Sequence, residues 1–408
     1  MAPAVVWLVA APNRRPPATL STGAAATSSY EALKEVLATG GGVWAQVFRM
    51  HLPMLRVGTL DSLIAASDAL ARDEKTVDGV VDRLLRQARE LQEDESYTPL
   101  IEGVPAATYV RSFRWDEAKF TSSDTLDSVR AALIESSSRL EAGLKVRLTD
   151  YTAAKQAVTA VARRTGGNLL SRSLAGIVTR EHVMAPDSEH LTTVFVVVPR
   201  FSTDEFLGEY ENLCVPPPAS ADAPAVEPSK FMGVVPRSAI PVVTDGDHAM
   251  YAVTLFRAGV EAFKMGCRDR RYTVREYEFT PTAADDAAEE ASRVEAEATS
   301  SAAAFGAWTS TAYAEAFMVA LHLKVLRVYV ESVLRYGLPV DFDVTAVFPA
   351  GSKGVSRVRK QLGEMYAHLA GGRGGGGGDA EGVMVPGIMS DKEFFPYVSV
   401  DVVMPSVA

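Results

Sequence analysis

The strongest constraint on this chain is a single unbroken helical pattern from Ser123 to Arg164. Leu126, Val129, Leu133, Leu140, Leu144, Leu148, Tyr151, Val158 and Ala162 recur at three- and four-residue steps or their multiples, with Gly143 the one weak point. At the rise of an α-helix such a segment is ~60 Å long. A second helical stretch, from Ala283 to Arg335, opens with DDAAEEASRVEAEATSSAAA, which holds six acidic residues and one basic residue. Its apolar content is too slight to form a core alone. Laid antiparallel on the first long helix, its alanines permit close approach, so the expectation is a narrow two-helix neck between two globular ends.

The remaining segments read as α+β on both sides of that neck. In the first 120 residues, Val5–Ala10, Val47–Leu52 and Tyr109–Trp115 read as strands. Thr59 caps a helix carrying Leu60, Leu63, Ile64 and Leu70, and Thr76 caps a second one carrying Val77, Val80, Val81, Leu84, Leu85, Ala88 and Leu91. This first part needs more strands, and the alternating Phe342–Phe348 and Phe395–Val403 are the natural suppliers. Between the long helices, Leu191–Val198, Phe231–Val235 and Tyr272–Phe279 read as strands, with Asp204–Asn212 and Ala249–Lys264 as helices. The expected organisation is residues 1–122 as the first part of a foot, 123–164 and 281–318 as neck, 165–280 as an inserted head, and 319–408 completing the foot. The fold class is α+β in an elongated dumbbell.

At 408 residues the chain accommodates two or three domains. A net charge of −10 leaves no broad electrostatic footprint for nucleic acid. The longest apolar runs fall far short of the ~20 residues that span a bilayer, and the N-terminal MAPAVVWLVAAP lacks a basic lead and reads as a buried strand, so no direct membrane insertion is expected and the cytosol is the default. Two cysteines, Cys214 and Cys267, fit a reducing compartment. Val215–Lys230 is Pro- and Ala-rich and Gly371–Gly378 is glycine-rich, and both read as flexible insertions.

Chemistry is sparse. The six histidines show no HExxH spacing and no cysteine pair to complete a zinc site, so no metal ligands are assigned. Asp245-Gly246-Asp247-His248 lacks the distal glutamate of a calcium loop and reads as a polar turn. Gly351-Ser352-Lys353-Gly354 lacks the order of a phosphate loop and also reads as a turn. No nucleophile elbow is present. No catalytic residue and no cofactor is assigned, and the chain is read as not an enzyme. Two basic clusters, Arg268, Arg270, Arg271 and Arg275, then Lys353, Arg357, Arg359 and Lys360, are either solvated faces or docking sites for an acidic partner.

The run from His322 to Phe342, HLKVLRVYVESVLRYGLPVDF, is built for packing. Leu323, Leu326, Val330, Val333 and Leu334 share a face, Gly337 and Pro339 stop the helix, and Arg327, Glu331 and Arg335 stand at four-residue spacing suited to ion pairs on a helix surface or at an interface. This run, together with VVWLVAAP at Val5, LPMLRVGTLDSLIAASDAL at Leu52, FRWDEAKF at Phe113, GGNLLSRSL at Gly166, HLTTVFVVVPR at His190 and the long VVPRSAIPVVTDGDHAMYAVTLFRAGVEAFKMGCRDRRYTVREYEF at Val234, resembles the C subunit of the vacuolar-type proton-translocating ATPase. The segments follow that family's order over residues 3 to 370. The resemblance implies a foot, neck and head, and a stator role in the V1 sector on the cytosolic face of endomembranes. There it implies joining the E and G subunits of the peripheral stalk to the N-terminal part of the membrane sector's a subunit, with regulated release. It also implies a competing reading as an actin-filament linker. On this basis Arg268, Arg270 and Arg271 are candidates for contact with an E and G stalk. Trp115 and Asp116 are candidates for contact with the a subunit or for a structural junction, and Arg335 is a further partner-binding candidate.

Overall fold

The computed structural model describes residues 5–13, 28–39, 44–52, 55–121, 124–184, 188–214, 233–338, 341–372 and 395–405. In chain order the elements are β1 (Val5–Pro12), α1 (Ser29–Lys34, continued as a π-helical turn over Glu35–Thr39), β2 (Ala45–Met50), α2 (Leu60–Gln92), α3 (Ala106–Arg111) and α4 (Leu126–Gly166). Then come β3 (Leu191–Pro199), α5 (Thr203–Glu209), β4 (Ile240–Thr244), β5 (His248–Phe256), α6 (Val260–Asp269) and β6 (Thr273–Arg275). The chain ends with α7 (Ala283–Tyr336), β7 (Phe342–Pro349), α8 (Gly351–Tyr366) and β8 (Val398–Val403). The fold is α+β, with two antiparallel sheets. Contacts divide the chain into one unit of residues 1–148 and 302–408 and another of residues 149–301, with both boundaries falling inside α4 and α7.

The first unit carries the sheet β2-β7-β1-β8. Its two C-terminal strands complete what the N-terminal strands begin, as the alternation in both segments predicts. β7 lies between β2 and β1, and β8 adds on the far side of β1. Period-two alternation puts Trp7, Val9, Ala11 and Val347 on one face, where they pack with Leu33, Leu37, Val358, Leu362 and Tyr366. α7 is amphipathic only where it is exposed; from Tyr313 to Val333 nearly every turn is buried on several sides, and Gly337 at φ 82° ends it.

Two readings of this unit are corrected. Residues 60–92 form one helix rather than two. Thr59 caps it, accepting from Ser62 N–H at 3.3 Å, whereas Thr76 lies inside and returns its hydroxyl to Arg72 O at 3.5 Å. The buried stripe of Leu63, Ala66, Leu70, Val77, Val80 and Leu84 skips a step between Leu70 and Val77, where Asp73 and Glu74 stand, and that gap mimicked a helix start. Tyr109–Trp115 is not a strand. Pro105 precedes the short helix α3, which buries Ala106, Tyr109 and Val110 at helical spacing.

The second unit carries the sheet β4-β5-β3-β6. Along β3, Val194, Val196 and Val198 pack with Phe206, Phe263 and Cys267, while Phe195 and Val197 pack with Leu169, Leu174 and Val178. The sheet is therefore covered on both faces, which is why β3 and β5 are mostly apolar, without a clean period-two alternation. That same feature misled the sequence reading: Ala249–Lys264 is not one helix but the central strand β5 followed, after Gly259, by α6. β6 is three residues long where Tyr272–Phe279 was expected to be a strand, and β4 was not anticipated. Of Phe231–Val235, Val234 forms an isolated bridge to Leu255, and residues 231 and 232 lie outside the described residues, as does the Pro-rich segment 215–230 and the glycine run beyond Gly372. Gly351–Gly354 is the first turn of α8 rather than a free turn.

Candidate partner-binding surfaces

Arg268, Arg270 and Arg271 stand where α6 ends, in the unit of residues 149–301. The amphipathic α6 buries Phe263 and Cys267, and its last carbonyls are taken by the reversal that follows: Arg270 N–H and Tyr272 N–H both reach Cys267 O, at 3.2 and 2.8 Å, and Arg271 N–H reaches Arg268 O at 3.0 Å. Arg271 has a left-handed backbone, φ 63°, which turns the chain from the helix into β6. Positive charge at a helix C-terminus is favourable. The three guanidiniums differ in use. Arg270 is ion-paired with Glu209 and, at 3.7 Å, with Glu205, both on α5. Arg268 and Arg271 are exposed, and among the described residues neither has an ion-pair partner. Arg275, which belongs to the same sequence cluster, turns inward and donates to Leu169 O and Arg172 O at 3.0 and 2.5 Å.

Another feature of this unit was not foreseen. Phe201 is 90% exposed, beside an open cleft of about 500 Å³ lined by Pro199, Arg200, Gly246, Asp247 and His248. Sequence offers only the Pro-Arg-Phe-Ser break after β3 as a signal. The neighbouring Asp245 turn is polar as expected. Its carboxylate accepts from the N–H groups of His248, Asp247 and Leu169 at 2.7, 2.9 and 3.3 Å, and these bonds hold its pKa below the ordinary value.

The other candidates lie in the first unit. Trp115 is 8% exposed; its indole N–H donates to Phe120 O at 2.8 Å, and its ring packs 5.0 Å from His322. His322 sits among Phe113, Trp115 and Phe120. Because the Asp116 backbone N–H can only donate, His322 Nε2 accepts it, at 3.2 Å, and Nδ1 carries the proton toward Met318 O at 2.7 Å. Burial lowers the His322 pKa, with the Met318 carbonyl opposing. The Asp116 carboxylate closes the local turn by accepting from Ala118 and Lys119 N–H at 3.1 and 3.2 Å. Arg335 donates to Phe395 O at 2.9 Å, tying the end of α7 to the segment that leads into β8.

The same helix holds an ion network that sequence reading missed in part. Lys324 reaches Glu74 and Asp78 of α2 at 2.6 and 2.7 Å, and Arg327 pairs with Glu74 and with Glu331, the latter at 2.6 Å. The expected Arg327–Glu331 pair is present, part-buried within this network rather than on an open surface. The signal for the rest was a lysine in an otherwise apolar stretch and the break at Asp73 and Glu74. Asp73 is paired with Arg130 of α4 at 2.6 Å. In the basic cluster on α8, Arg357 lies 3.9 Å from the Trp44 ring centroid, and Arg359 lies 3.9 Å from that of Trp7 while also binding Ser399 at 2.9 Å.

Among the described residues no three His, Cys, Asp or Glu side chains group to hold a metal ion, and no helix is long and apolar enough to cross a membrane. What these candidates leave exposed is positive charge at Arg268 and Arg271 and one aromatic ring at Phe201, whereas Trp115 is buried.

Comparison with known proteins gives a consistent result. The profile of the V-ATPase C-subunit family matches residues 6–398. The V-type proton ATPase C 1 subunit of Mus musculus is 30% identical over 402 residues, covering 96% of each chain. The C 1-A subunit of Danio rerio is 32% identical over 355 residues, covering 86% of this chain and 88% of the relative. A solved structure, the cytoplasmic N-terminal domain of the V-ATPase I subunit, a homolog of the a subunit, overlaps at a TM-score of 0.27 and 13% identity, covering 89% of this chain and 98% of that one, a likeness too low to carry an argument. With a profile match spanning nearly its whole length, the chain belongs to the V-ATPase C-subunit family.

Proposed function

We propose that this chain is a non-catalytic stator subunit of a V-type proton pump. In this reading it joins peripheral stalks, built from the E and G subunits, to the N-terminal domain of the a subunit and takes part in reversible assembly on the cytosolic face of an endomembrane. The observation that carries the reading is the family match over residues 6–398, which takes in both long helices, the whole second sheet and three of the four strands of the first sheet, reaching only the first residue of β8. The side-chain chemistry supports it. In the first unit, buried and part-buried charged and polar groups tie separate segments together: Lys324 and Arg327 to α2, Arg130 to Asp73, and His322 to the Asp116 segment. A part that resists torque needs such internal ties more than it needs reactive groups. In the second unit, Arg268 and Arg271 are available for an acidic partner, and we assign them to the E and G contact. We assign Trp115 to fixing the segment that carries Asp116, and Asp116 to the contact with the a subunit; Arg335 is kept as a partner-binding candidate that is not allotted to a particular subunit. Release and reassembly call for several moderate, polar contacts rather than one large apolar interface.

The test is calorimetric titration of the full chain with a recombinant heterodimer of the E and G subunits, and separately with the N-terminal domain of the a subunit. Saturable binding to both is expected. A folded chain that binds neither sinks the reading.

A further inference from the structure

The chain's only two cysteines are packed into one place. Cys214 and Cys267 belong to the same buried cluster as Phe206, Phe263 and Tyr272, at 6% and 0% exposure. Cys214 Sγ–H donates to Gly259 O at 3.1 Å, one residue before α6 begins. Gly259, Phe263 and Cys267 follow at four-residue steps and so share one face of the helix. The chain just before Cys214 meets the same helix further on. Leu213 O lies 2.3 Å from where a Cβ on Gly266 would stand, and Leu213 Cα lies 3.4 Å from it, so the residue before one cysteine is in backbone contact with the residue before the other. A disulfide needs Cα atoms about 4.4–6.8 Å apart, which requires segments in contact as these are. To reach Cys267 the Cys214 sulfur must leave Gly259 O, about two helical turns before it, and swing along the same face.

Cys267 also anchors the Arg268–Arg271 reversal, since its carbonyl accepts from both Arg270 and Tyr272 N–H. We propose that Cys214 and Cys267 are a modification site, a thiol pair that a hydroperoxide closes into a disulfide, and that closure resets the Arg268–Arg271 turn. The consequence for partner binding rests on the function proposed above. The Cys214 thiolate attacks one peroxide oxygen, the O–O bond breaks, and the sulfur becomes a sulfenic acid with release of water. Cys267 sulfur then attacks Cys214 sulfur. The S–S bond forms, the S–O bond breaks, and the departing hydroxide takes up the Cys267 proton as a second water. Two thiols and one peroxide give one disulfide and two waters, with both sulfurs oxidised and the peroxide reduced.

Burial sets the pace. It pushes the Cys214 thiol above its ordinary value and that of Cys267 up to about 12, with Cys214 adding to the latter, so the reaction is slow at neutral pH and accelerates as pH rises.

The test treats the full chain with hydrogen peroxide and follows intact mass under non-reducing conditions. The expected result is loss of two hydrogens from the monomer, reversal by dithiothreitol, a cross-linked peptide pair containing Cys214 and Cys267, and loss of the effect in both Cys214→Ala and Cys267→Ala. Stepwise oxygen addition without loss of hydrogen, a cross-linked dimer, or thiols that stay reduced while exposed methionines oxidise would overturn it. Hydrogen–deuterium exchange of residues 268–272 is expected to differ between reduced and oxidised chains, and identical exchange overturns the coupling to the turn. Neither readout uses a partner, so a chain that binds no E and G heterodimer leaves both results standing.

Discussion

Lys324 Nζ and Glu74 Oε1 lie 2.6 Å apart, joining α7 to α2 where the lysine side chain is 3% exposed. Asp78 accepts from the same ammonium at 2.7 Å, so one buried cation serves two carboxylates a helical turn apart. Replacing Lys324 by Met leaves Glu74 with Arg327 alone and Asp78 with no cation in the network. Loss of one partner of a buried pair costs about 3–5 kcal/mol, and the partial exposure of Asp78 puts this case near the lower figure. Urea unfolding of the variant at neutral pH should show a midpoint shift of that size. A loss within ~0.5 kcal/mol of wild type would mean the pair contributes no more than a surface bridge.

The two carboxylates respond to acid in opposite ways. Burial alone would raise Glu74, but Lys324 and Arg327 together outweigh it and hold the carboxyl below 4.5. Its contribution to stability is therefore present above that value and lost as pH falls through the folded-state pKa. Burial raises Asp78 above 3.8, Lys324 offsets this only in part, and Glu74 and Asp82 add to it. The fold thus favours protonated Asp78, and that contribution is present below its ordinary pKa and lost as pH rises through the raised one. Glu74→Gln should destabilise at neutral pH and converge on wild type in acid, while Asp78→Asn should be nearly neutral or stabilising at neutral pH. Parallel denaturation curves for both variants across pH 3 to 7 would contradict this assignment.

His322 gives a separate pH signature. Burial holds its folded-state pKa below 6.5, so the neutral ring is favoured in the fold, and the stability it contributes is present above 6.5 and lost as pH falls through the lower value. His322→Phe keeps a ring among Phe113, Trp115 and Phe120 but leaves the Asp116 N–H without its acceptor, at a cost of about 1–3 kcal/mol at pH 7.5. That deficit should shrink at pH 5.5, because the variant has no proton to exclude. Chemical unfolding at the two pH values measures both, and a deficit that does not change with pH would show that the ring serves by packing alone.

Much of this was legible, for physical reasons that differ by element. The long helices announce themselves because period 3.6 repeats over many turns, and the joining of N- and C-terminal strands follows because an N-terminal half-sheet with Trp7 and Val9 on one face needs neighbours. β5 was illegible because His248–Phe256 is buried on both faces, which removes the alternation that marks a strand. The single helix α2 was read as two because Asp73 and Glu74 occupy the core stripe, and only the three-dimensional partners Arg130, Lys324 and Arg327 explain charges there. Among the candidate contacts, sequence could not separate Arg270, paired with α5, from Arg268 and Arg271, which differ from it in surroundings rather than in type. Beyond the Pro-Arg-Phe-Ser break after β3, nothing local to Phe201 distinguishes a buried phenylalanine from one 90% exposed.

Gly266 is a point where side-chain size alone decides. A Cβ there would stand 2.3 Å from Leu213 O, a backbone atom that cannot rotate away. Gly266→Ala gains about 1 kcal/mol in helix propensity. The overlap costs about 1–3 kcal/mol or more and wins, because relief requires moving α6 off the Leu213–Cys214 segment. Thermal unfolding should show a lower Tm than wild type, whereas Gly306→Ala, with open space at its Cβ, should not lower it.

The proposed role makes the end of α6 a place where charge matters more than shape. Arg268 and Arg271 are exposed without ion-pair partners among the described residues, while Arg270 is held by Glu205 and Glu209. Reversing both free charges, Arg268→Glu with Arg271→Glu, should weaken binding to an E and G heterodimer by roughly tenfold, about 1.4 kcal/mol, through slower association and a smaller salt dependence. Arg270→Gln should instead loosen the α5 contact and act mainly on stability. Calorimetry at two salt concentrations, with circular dichroism as the folding control, separates these effects. Unchanged affinity in the folded double variant would remove this turn from the interface and move attention to the cleft beside Phe201.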